Sequence, residues 1–310
     1  MTAAQTQKIF FAMGTVNSIT VFEKADEALT AAKNRVTELH RRLSAYADDS
    51  EISAVNRNAG ISPVQVSADT FALIERAMQN SETTGGCFDI TSRPLSQCWK
   101  NTIKSGRMPD EASLLQAHES VNYQDIILDR KKRTVMLKHK GQQLDLGGIA
   151  KGYAADEVRR ILQEYDVQNA VINLGGTVIN LGSTRTVGLQ TPFAPNGEHF
   201  AALQIGDSTA VVSSGVYEQW GSIDGKRVHH IVDPRTGYPS DSGLTGVTLI
   251  GKNAEELDAL ATAVLILGAA GSIEMLRERE ISAVFITDNR QIFVTDDLRG
   301  KLNMREERSA

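Results

Sequence analysis

The chain has 310 residues, of which 41% are hydrophobic and 23% are charged, a composition typical of a folded protein with a sizeable buried core. Its formal net charge is −5, so we expect no general electrostatic attraction to nucleic acid or to anionic lipid. The two cysteines, Cys87 and Cys98, are too few for a disulfide framework, and no second Cys/His pair at ligand spacing suggests a zinc site. We expect both thiols to be reduced.

The sequence pattern also bears on targeting. The N-terminal residues lack a basic stretch followed by a long apolar one, and no window of some 18 apolar residues occurs in the chain. We therefore expect no membrane segment. The lack of a lipoprotein-type leader favours the cytoplasm, and an exported form whose leader is missing from this sequence stays open.

Predicted strands and helices interleave through the first half of the chain. Alternation predicts a strand at 16–23, and apolar residues at helical spacing predict the helix that follows it. The predicted elements, in chain order, are a strand at 16–23, a helix at 25–46, a short strand at 63–67, helices at 68–84 and 110–118, and a hairpin of 123–129 with 134–141.

The second half begins with a helix and a strand and then becomes rich in β-structure. The predicted elements are a helix at 150–165, strands at 169–176, 186–191, 200–206, 208–215, 229–233 and 244–251, helices at 254–268 and 272–280, and a hairpin of 282–288 with 291–297. This order lacks a strict strand-helix-strand rhythm, so it predicts an α/β or α+β fold with a mixed sheet rather than a doubly wound parallel sheet. We expect one domain over 1–310, or two intimately packed subdomains, with flexible ends at 1–9 and 305–310.

Residues 142–158, QQLDLGGIAKGYAADEV, place an acid, two glycines and a lysine at the start of a helix. Glycines at 147 and 148 let a ligand approach the backbone, and the helix dipole with Lys151 would favour phosphate. The spacing is neither that of a dinucleotide fold nor that of a P-loop. An ordinary strand-to-helix turn at Asp145 is an equally good interpretation.

Residues 229–239, HHIVDPRTGYP, gather polar groups at the end of a predicted strand. Neighbours on a strand point to opposite faces, so only one of His229 and His230 can face a given pocket. The surrounding polar cluster makes His230 a candidate general base, with a structural role as the alternative.

The helix at 254–268 places Asp258 and Thr262 four residues apart, on one face of an otherwise apolar helix. A carboxylate and a hydroxyl there suggest a hard, oxygen-ligated cation such as Mg²⁺. Hydrogen bonding of Thr262 within the helix, with Asp258 favouring the helix dipole, is the alternative.

Three further segments allow a structural explanation. Residues 85–99 combine a glycine pair, Asp89 and a helix that starts at a proline. Residues 42–53 place Tyr46 at a helix end, before a predicted N-cap at Asp49 or Ser50. Residues 213–220, SSGVYEQW, carry two serines without the spacing of a serine-hydrolase nucleophile elbow.

Taken together and in order, these segments resemble the ApbE family of FAD:protein FMN transferases. The stretches that carry the resemblance are FAMGT (11–15), LSAYADDSEIS (43–53), GCFDIT with PL (86–95), LDLGGIAKGYAAD (144–156), VINLGG (171–176), SSGVYEQ (213–219), HHIVDPRTGYP (229–239) and LDALATAVLILG (257–268). Singly several are weak, but their ordered occurrence from residue 11 to residue 268 is hard to obtain by chance.

The resemblance implies an ApbE-like fold, with mixed or antiparallel sheets flanked by helices and a flavin cleft between subdomains. It implies an enzyme that binds FAD as substrate, holds Mg²⁺, and moves FMN onto a Thr or Ser hydroxyl of a target protein with release of AMP. Carried over by motif, flavin contacts are expected from Met13, Tyr46, Cys87, Phe88, Asp89, Asp145, Lys151 and Ile231. Metal coordination is expected from Asp258, Thr262 and the carbonyl of Gly148, with His230 as general base.

Two positions depart from the family pattern. Ala261 stands where some members have a further acid, so no third acidic ligand is expected there, and Arg93 stands where the family often has glycine before Pro-Leu. The acceptor implied is a redox-complex subunit or a flavin-carrying reductase. An FAD pyrophosphatase that yields FMN and AMP, and a non-catalytic FAD carrier, stay open as alternatives.

Overall fold

The computed structural model describes residues 5–195 and 197–305. The helices in those residues are α1 Asp26–Leu43, α2 Glu51–Arg57, α3 Ala68–Thr83, α4 Arg93–Ser105, α5 Glu111–Glu119, α6 Ala150–Glu164 and α7 Ala254–Glu278. The strands are β1 Thr6–Ala12, β2 Thr15–Val21, β3 Val64–Gln65, β4 Ile126–Asp129, β5 Thr134–Leu137, β6 Ala170–Leu174, β7 Thr177–Leu181, β8 Arg185–Gln190, β9 His199–Ile205, β10 Thr209–Gly215, β11 Trp220–Ile223, β12 Lys226–His229, β13 Leu244–Gly251, β14 Ser282–Thr287, β15 Ile292–Val294 and β16 Leu302–Met304.

The largest sheet has eight strands in the order β1-β2-β6-β7-β10-β13-β14-β15, and every neighbouring pair is antiparallel. Strand β13 is buried along nearly its whole length. That pattern is typical of a strand covered on both faces. The side chains of Val247 and Leu249 join the main core, whereas Ile250 joins a second apolar cluster.

Helices α1, α6 and α7 pack together over one face of this sheet, and their apolar side chains form most of the main core. Helix α7 runs across β10 and β13, and α6 lies between α1 and α7. The burial of apolar surface between this helical layer and the sheet is the main source of stability expected for such a fold.

Smaller elements cover the remaining surfaces. The three-stranded sheet β16-β9-β8 packs its apolar side chains against the second face of the large sheet, at Val211, Ile250 and Val284. The hairpin of β11 and β12 packs instead on α4 and α5, around Leu95 and Trp99. This hairpin leads directly to His230.

The structure confirms the predicted mixed α/β class, and its sheets are built from antiparallel pairs. It corrects the sequence expectation for the N-terminal end and for one predicted strand. Strand β1 begins at Thr6 and pairs with β2, so residues 6–9 of the expected flexible end are ordered into the sheet edge, while 1–4 and 306–310 lie outside the described residues. Of the strand predicted at 229–233, only His229 lies in a strand, as the last residue of β12. Residues 230–240 turn back instead, and an isolated bridge joins Val232 to Pro239.

Helix α7 qualifies the expectation about membrane segments. By length and mean hydropathy alone it could cross a membrane, although its sequence includes Asp258 and Thr262. A buried core helix has the same features, and most of this apolar segment is buried inside the protein. Gly268, with φ of 77°, kinks it at the boundary between the two helices predicted from the sequence.

Candidate active site

The segment before α6 is folded into a tight turn that presents polar groups. The backbone N–H of Asp145 donates to the carbonyl of Ile90 at 2.8 Å, and its carboxylate accepts from the N–H of Gly147 at 2.9 Å. Lys151, in the first turn of α6, donates its ammonium to the carbonyl of Gly147 at 3.1 Å. The acid, the bare backbone and the cation of the motif therefore meet at one place.

Helix α6 then approaches the start of α7 so closely that only glycine fits at the contact. A Cβ atom on Gly152 would lie 2.1 Å from the carbonyl oxygen of Ala254. Asp156, one turn further along α6, accepts hydrogen bonds from the N–H groups of Ala254 and Glu255 at 3.3 and 2.9 Å. These contacts cap α7 and fix where its next turn, with Asp258, must lie.

Asp258 is buried against the start of α6. Its side chain accepts the N–H of Gly152 at 3.0 Å and lies 3.5 Å from the ammonium of Lys151. The negative charge of Asp258 is the main cause that raises the pKa of Lys151, so the lysine stays protonated. Only 2% of Asp258 is exposed, and a buried carboxylate needs such partners.

The two predicted metal-binding segments come together. Thr262 lies one turn after Asp258 on α7, and its hydroxyl is 3.4 Å from the position that a Cβ on Gly148 would take. The ring of Phe88 is 3.2 Å from the same point. The backbone of Gly148 therefore lies close to both Thr262 and Phe88.

The donor set at this place fits a hard cation. Asp258, Thr262 and the carbonyl of Gly148 offer one carboxylate and two neutral oxygens, and within 5–195 and 197–305 no three His, Cys, Asp or Glu residues cluster at metal-binding distance. Mg²⁺ is commonly held by one or two carboxylates together with water and substrate phosphates, whereas zinc prefers nitrogen and sulfur. The residues present therefore fit Mg²⁺ on a phosphate-bearing substrate.

His230 follows β12 directly and is held by the neighbouring strand segment. Its backbone N–H and its ring Nδ1 both lie 3.1 Å from the carbonyl oxygen of Gln219. A carbonyl can only accept, so Nδ1 carries the proton in the neutral ring and Nε2 is left as an acceptor.

The surroundings of His230 keep its ring neutral. Burial lowers its pKa to about 4, with further lowering by the charges of Lys100, His229 and Lys151. Lys151 is thus near enough to His230 for its charge to act on the imidazole. His229 has a different role, because it is buried and its Nε2 lies 3.1 Å from the carbonyl of Ser240. His229 is therefore structural, while the role of His230 as a general base stays a prediction.

The loop 87–89 lies beside this pocket, with different roles for its three residues. Phe88 packs on Gly148, while Cys87 is buried and its thiol pKa is raised by that burial. Asp89 accepts from the N–H and hydroxyl of Thr91, at 2.7 and 2.6 Å, and from the N–H of Tyr123 at 3.0 Å. Its carboxylate is therefore occupied in folding the loop.

Tyr46 stands at the exposed rim of the pocket, in a cluster of charged groups. Its hydroxyl lies 3.5 Å from a carboxylate oxygen of Asp145 and accepts from the ammonium of Lys100 at 3.2 Å. The guanidinium of Arg93 lies 4.3 Å from the centroid of its ring and 3.6 Å from Asp145. Arg93, the departure from the family pattern, thus occupies the space between two expected flavin-binding residues.

No contact joins Met13 or Ile231 to Lys151 or Asp258 among the hydrogen bonds and ion pairs of the described residues, and their roles as flavin contacts stay predictions. Met13 forms the turn between β1 and β2 with φ of 53°, at the sheet edge where Thr15 lies against Gly175. Ile231 is buried next to His230, and its carbonyl accepts from the N–H of Ser240 at 2.9 Å.

Sequence reasoning missed several residues that shape the pocket. The sequence around Lys100 gives no indication of a functional residue. Gly152 belongs to the motif at 142–158, but nothing in that motif distinguishes it. Glu218 is another: burial raises the pKa of its carboxyl, the charge of Lys151 lowers that pKa and the charge of Asp258 raises it, so the three charges interact. Its place within 213–220 could have drawn attention to Glu218, because that segment was already noted.

Comparison with known proteins shows the family of the chain. The family model described as the ApbE family matches residues 13–285 of the chain. A protein of Klebsiella pneumoniae named FAD:protein FMN transferase is 39% identical over 279 residues, which cover 88% of this chain and 87% of the relative. One of Treponema pallidum with the same name is 32% identical, over 90% and 84% of the two chains.

Solved structures agree as well. The ApbE protein of Thermotoga maritima superposes with a TM-score of 0.86 at 27% identity, over 98% of this chain and the whole of the other. A flavin transferase ApbE of Vibrio cholerae gives 0.83 at 24% identity, over 96% of this chain and 99% of the other, which supports the fold alone.

Proposed function

The chain belongs to the ApbE family, and we propose that this enzyme transfers the FMN moiety of FAD to a Thr or Ser hydroxyl of an acceptor protein and releases AMP. The proposal depends above all on one observation. The turn with Asp145, Gly148 and Lys151 meets the Asp258–Thr262 face of α7, and His230 is near enough to Lys151 for the charge of the lysine to lower its pKa.

FAD is the substrate that this charge distribution suits. Its diphosphate bridge carries closely spaced negative charge, which Lys151 would meet with an ammonium already fixed by Gly147 and Asp258. When bound, Mg²⁺ would be held by Asp258, Thr262 and the carbonyl of Gly148, and it would supply neutralisation of the charge on the diphosphate. Tyr46, which is exposed, offers aromatic surface for a ring system of the dinucleotide.

His230 is positioned to accept the proton of the incoming hydroxyl. Because the carbonyl of Gln219 holds Nδ1, the free Nε2 can take that proton. The acceptor oxygen forms a bond to the FMN phosphorus, the bond from that phosphorus to the oxygen of the AMP phosphate breaks, and AMP leaves. The acceptor protein is left with a phosphoester-linked FMN.

The acceptor is proposed to be a protein of a redox system, either a subunit of a redox complex or a flavin-carrying reductase. Relatives named FAD:protein FMN transferase support a protein acceptor in general terms. The fold itself reads out no acceptor identity.

The proposed function is tested with an extract of the cells from which the gene derives. The extract is incubated with purified protein, FAD and Mg²⁺, and covalent flavin on protein is detected by in-gel fluorescence and by the mass of flavin-bearing peptides, with AMP measured in parallel. We expect a labelled protein and AMP in equal amounts, both abolished by chelation of divalent metal. FMN and AMP without labelled protein would show a pyrophosphatase, and tight FAD binding without either product would show a carrier.

A further inference from the structure

An aromatic cluster with one arginine lies beside the candidate site and has no role in the chemistry proposed above. It consists of Phe193, Tyr217, Trp220 and Arg227, and we call it the aromatic cluster. The ring of Phe193 meets Trp220 edge-on at 5.3 Å between centroids and meets Tyr217 at 5.9 Å. The guanidinium of Arg227 lies 4.2 Å from the centroid of Phe193.

The side of the aromatic cluster that faces the large sheet is closely packed. The ring of Tyr217 lies on the large sheet, where Cβ atoms on Gly215 and Gly246 would come within 2.0 and 3.2 Å of it. Phe193 has φ of 60°, a left-handed conformation that is unusual for a bulky residue. Such backbone strain persists only where the surrounding contacts hold it, and it is often found where a ligand is clamped.

The top of the cluster is open to solvent. Phe193 is 39% exposed and Trp220 is 45% exposed, although both are large aromatic residues held in place by their neighbours. Rigid Trp, Tyr and Arg side chains are the residues enriched where binding energy concentrates in protein interfaces. Ordered aromatic surface of this kind is typical of a binding site for another polypeptide.

The cluster is continuous with the site of the proton transfer. Trp220 is the residue after Gln219, whose carbonyl holds His230, and it pairs with His229 across the β11–β12 hairpin. The aromatic cluster therefore borders the side of the site on which His230 lies.

We infer that the aromatic cluster binds the acceptor polypeptide, by holding an apolar side chain close in sequence to the Thr or Ser that receives FMN. This inference rests on the proposed function, because it assigns the acceptor side of the same site. Phe193 and Trp220 offer exposed aromatic surface to an apolar side chain, beside the guanidinium of Arg227 at 4.2 and 5.6 Å from their ring centroids. Because Trp220 adjoins the segment that holds His230, the occupant proposed is a segment of the acceptor.

The test uses a synthetic library of short peptides with one fixed Thr and randomised flanking positions, incubated with the full-length protein, FAD and Mg²⁺. Flavin-labelled peptides are sequenced by mass spectrometry for the wild type, Phe193→Ala, Trp220→Ala and the control Phe293→Ala. Phe293 is 51% exposed on β15, at the opposite edge of the sheet from β1. The affinity for FAD and the thermal unfolding of each variant show whether the fold and the nucleotide site are intact.

We expect labelled peptides of the wild type and of Phe293→Ala to be enriched in apolar residues at one fixed offset from the Thr. We expect Trp220→Ala and Phe193→Ala to lose that preference and to lower kcat/KM for a preferred peptide about tenfold, with unchanged FAD affinity, as truncation of an interface anchor does.

Three results would overturn the inference. The first is an apolar preference that survives in both cluster variants, and the second is a wild type that labels proteins of the cell extract but shows no apolar preference in peptides. The third is a change of oligomeric state in Trp220→Ala with peptide labelling intact, which would assign the surface to a second copy of the chain. A wild type that labels neither peptide nor protein would instead refute the proposed function itself.

Discussion

The two sides of the candidate site are built in different ways. On the nucleotide side, Asp258, Lys151 and Gly152 lie between two packed helices, and Asp258 is almost fully buried. On the acceptor side, His230 and Trp220 lie on a hairpin and a loop at the surface. The nucleotide side depends on close packing, so that small changes there should damage both fold and binding. The acceptor side should tolerate changes that affect transfer alone.

The largest expected effect comes from Asp258→Ala. The change removes the carboxylate of the proposed metal site and leaves Lys151 without its main counter-charge, so we expect Mg²⁺-stimulated transfer to be abolished. Activity is measured as AMP release with and without Mg²⁺, beside the control Glu256→Ala on the same helix. Normal Mg²⁺ stimulation in the Asp258 variant would remove the metal assignment.

The next effect is that of His230→Ala on the acceptor side. Loss of the general base should slow transfer by a factor of about 10² to 10⁴, while FAD still binds. Labelled acceptor and FAD affinity are measured separately, with His139→Ala as a control for the loss of a surface imidazole. Flavin transfer at the wild-type rate would refute the role of His230 as base.

Gly152→Ala probes the packing that joins the two helices. The added methyl group would meet the carbonyl of Ala254, and overpacking of this kind costs about 1–3 kcal/mol of unfolding free energy or more. Chemical denaturation measures the loss, and transfer should fall as Asp258 moves. Gly206→Ala, where the methyl group would meet nothing within 4 Å, should leave both unchanged.

The smallest effect expected is a shift in pH dependence in Lys100→Met. A general base must be neutral, and with a pKa of about 4 His230 stays neutral well below pH 6.5, so kcat/KM should hold down to about pH 5. The positive charge of Lys100 lowers the pKa of His230, as do His229 and Lys151. Removal of the Lys100 charge should therefore raise the pKa of His230 and move the acid limb of the kcat/KM profile to higher pH. The control Lys104→Met should leave the limb in place, and an unchanged limb in Lys100→Met would contradict this reasoning.

Local sequence patterns were enough to predict much of the fold and the paired motifs. Alternation found most strands of the large sheet, and helical spacing put Asp258 and Thr262 on one face of α7. The short strands β11, β12 and β16 were not predicted, because they depend on neighbours that no local pattern describes. The strand expected at 229–233 fails for a similar reason: Trp99 and His118 hold the following turn through the carbonyls of Gly237 and Pro234.

The site was harder to predict than its individual motifs. Nothing local indicates that Gly152 touches Ala254, about a hundred residues away, or that Lys100 reaches Tyr46 and affects His230. The carboxylate of Asp89 illustrates the opposite problem, since its residue type suggests ligand binding while its hydrogen bonds serve the loop. Such roles are decided by contacts between segments that lie far apart in the sequence. No local sequence pattern indicates those contacts.

The most direct test is calorimetry of FAD binding, with and without Mg²⁺, on His230→Ala and Asp258→Ala. It measures whether the nucleotide side is needed for binding while the acceptor side is needed for transfer alone. We predict that His230→Ala keeps Mg²⁺-dependent FAD binding at wild-type affinity while losing transfer, and that Asp258→Ala loses both. Equal loss of FAD affinity in the two variants, or Mg²⁺-dependent binding that persists without Asp258, would contradict it.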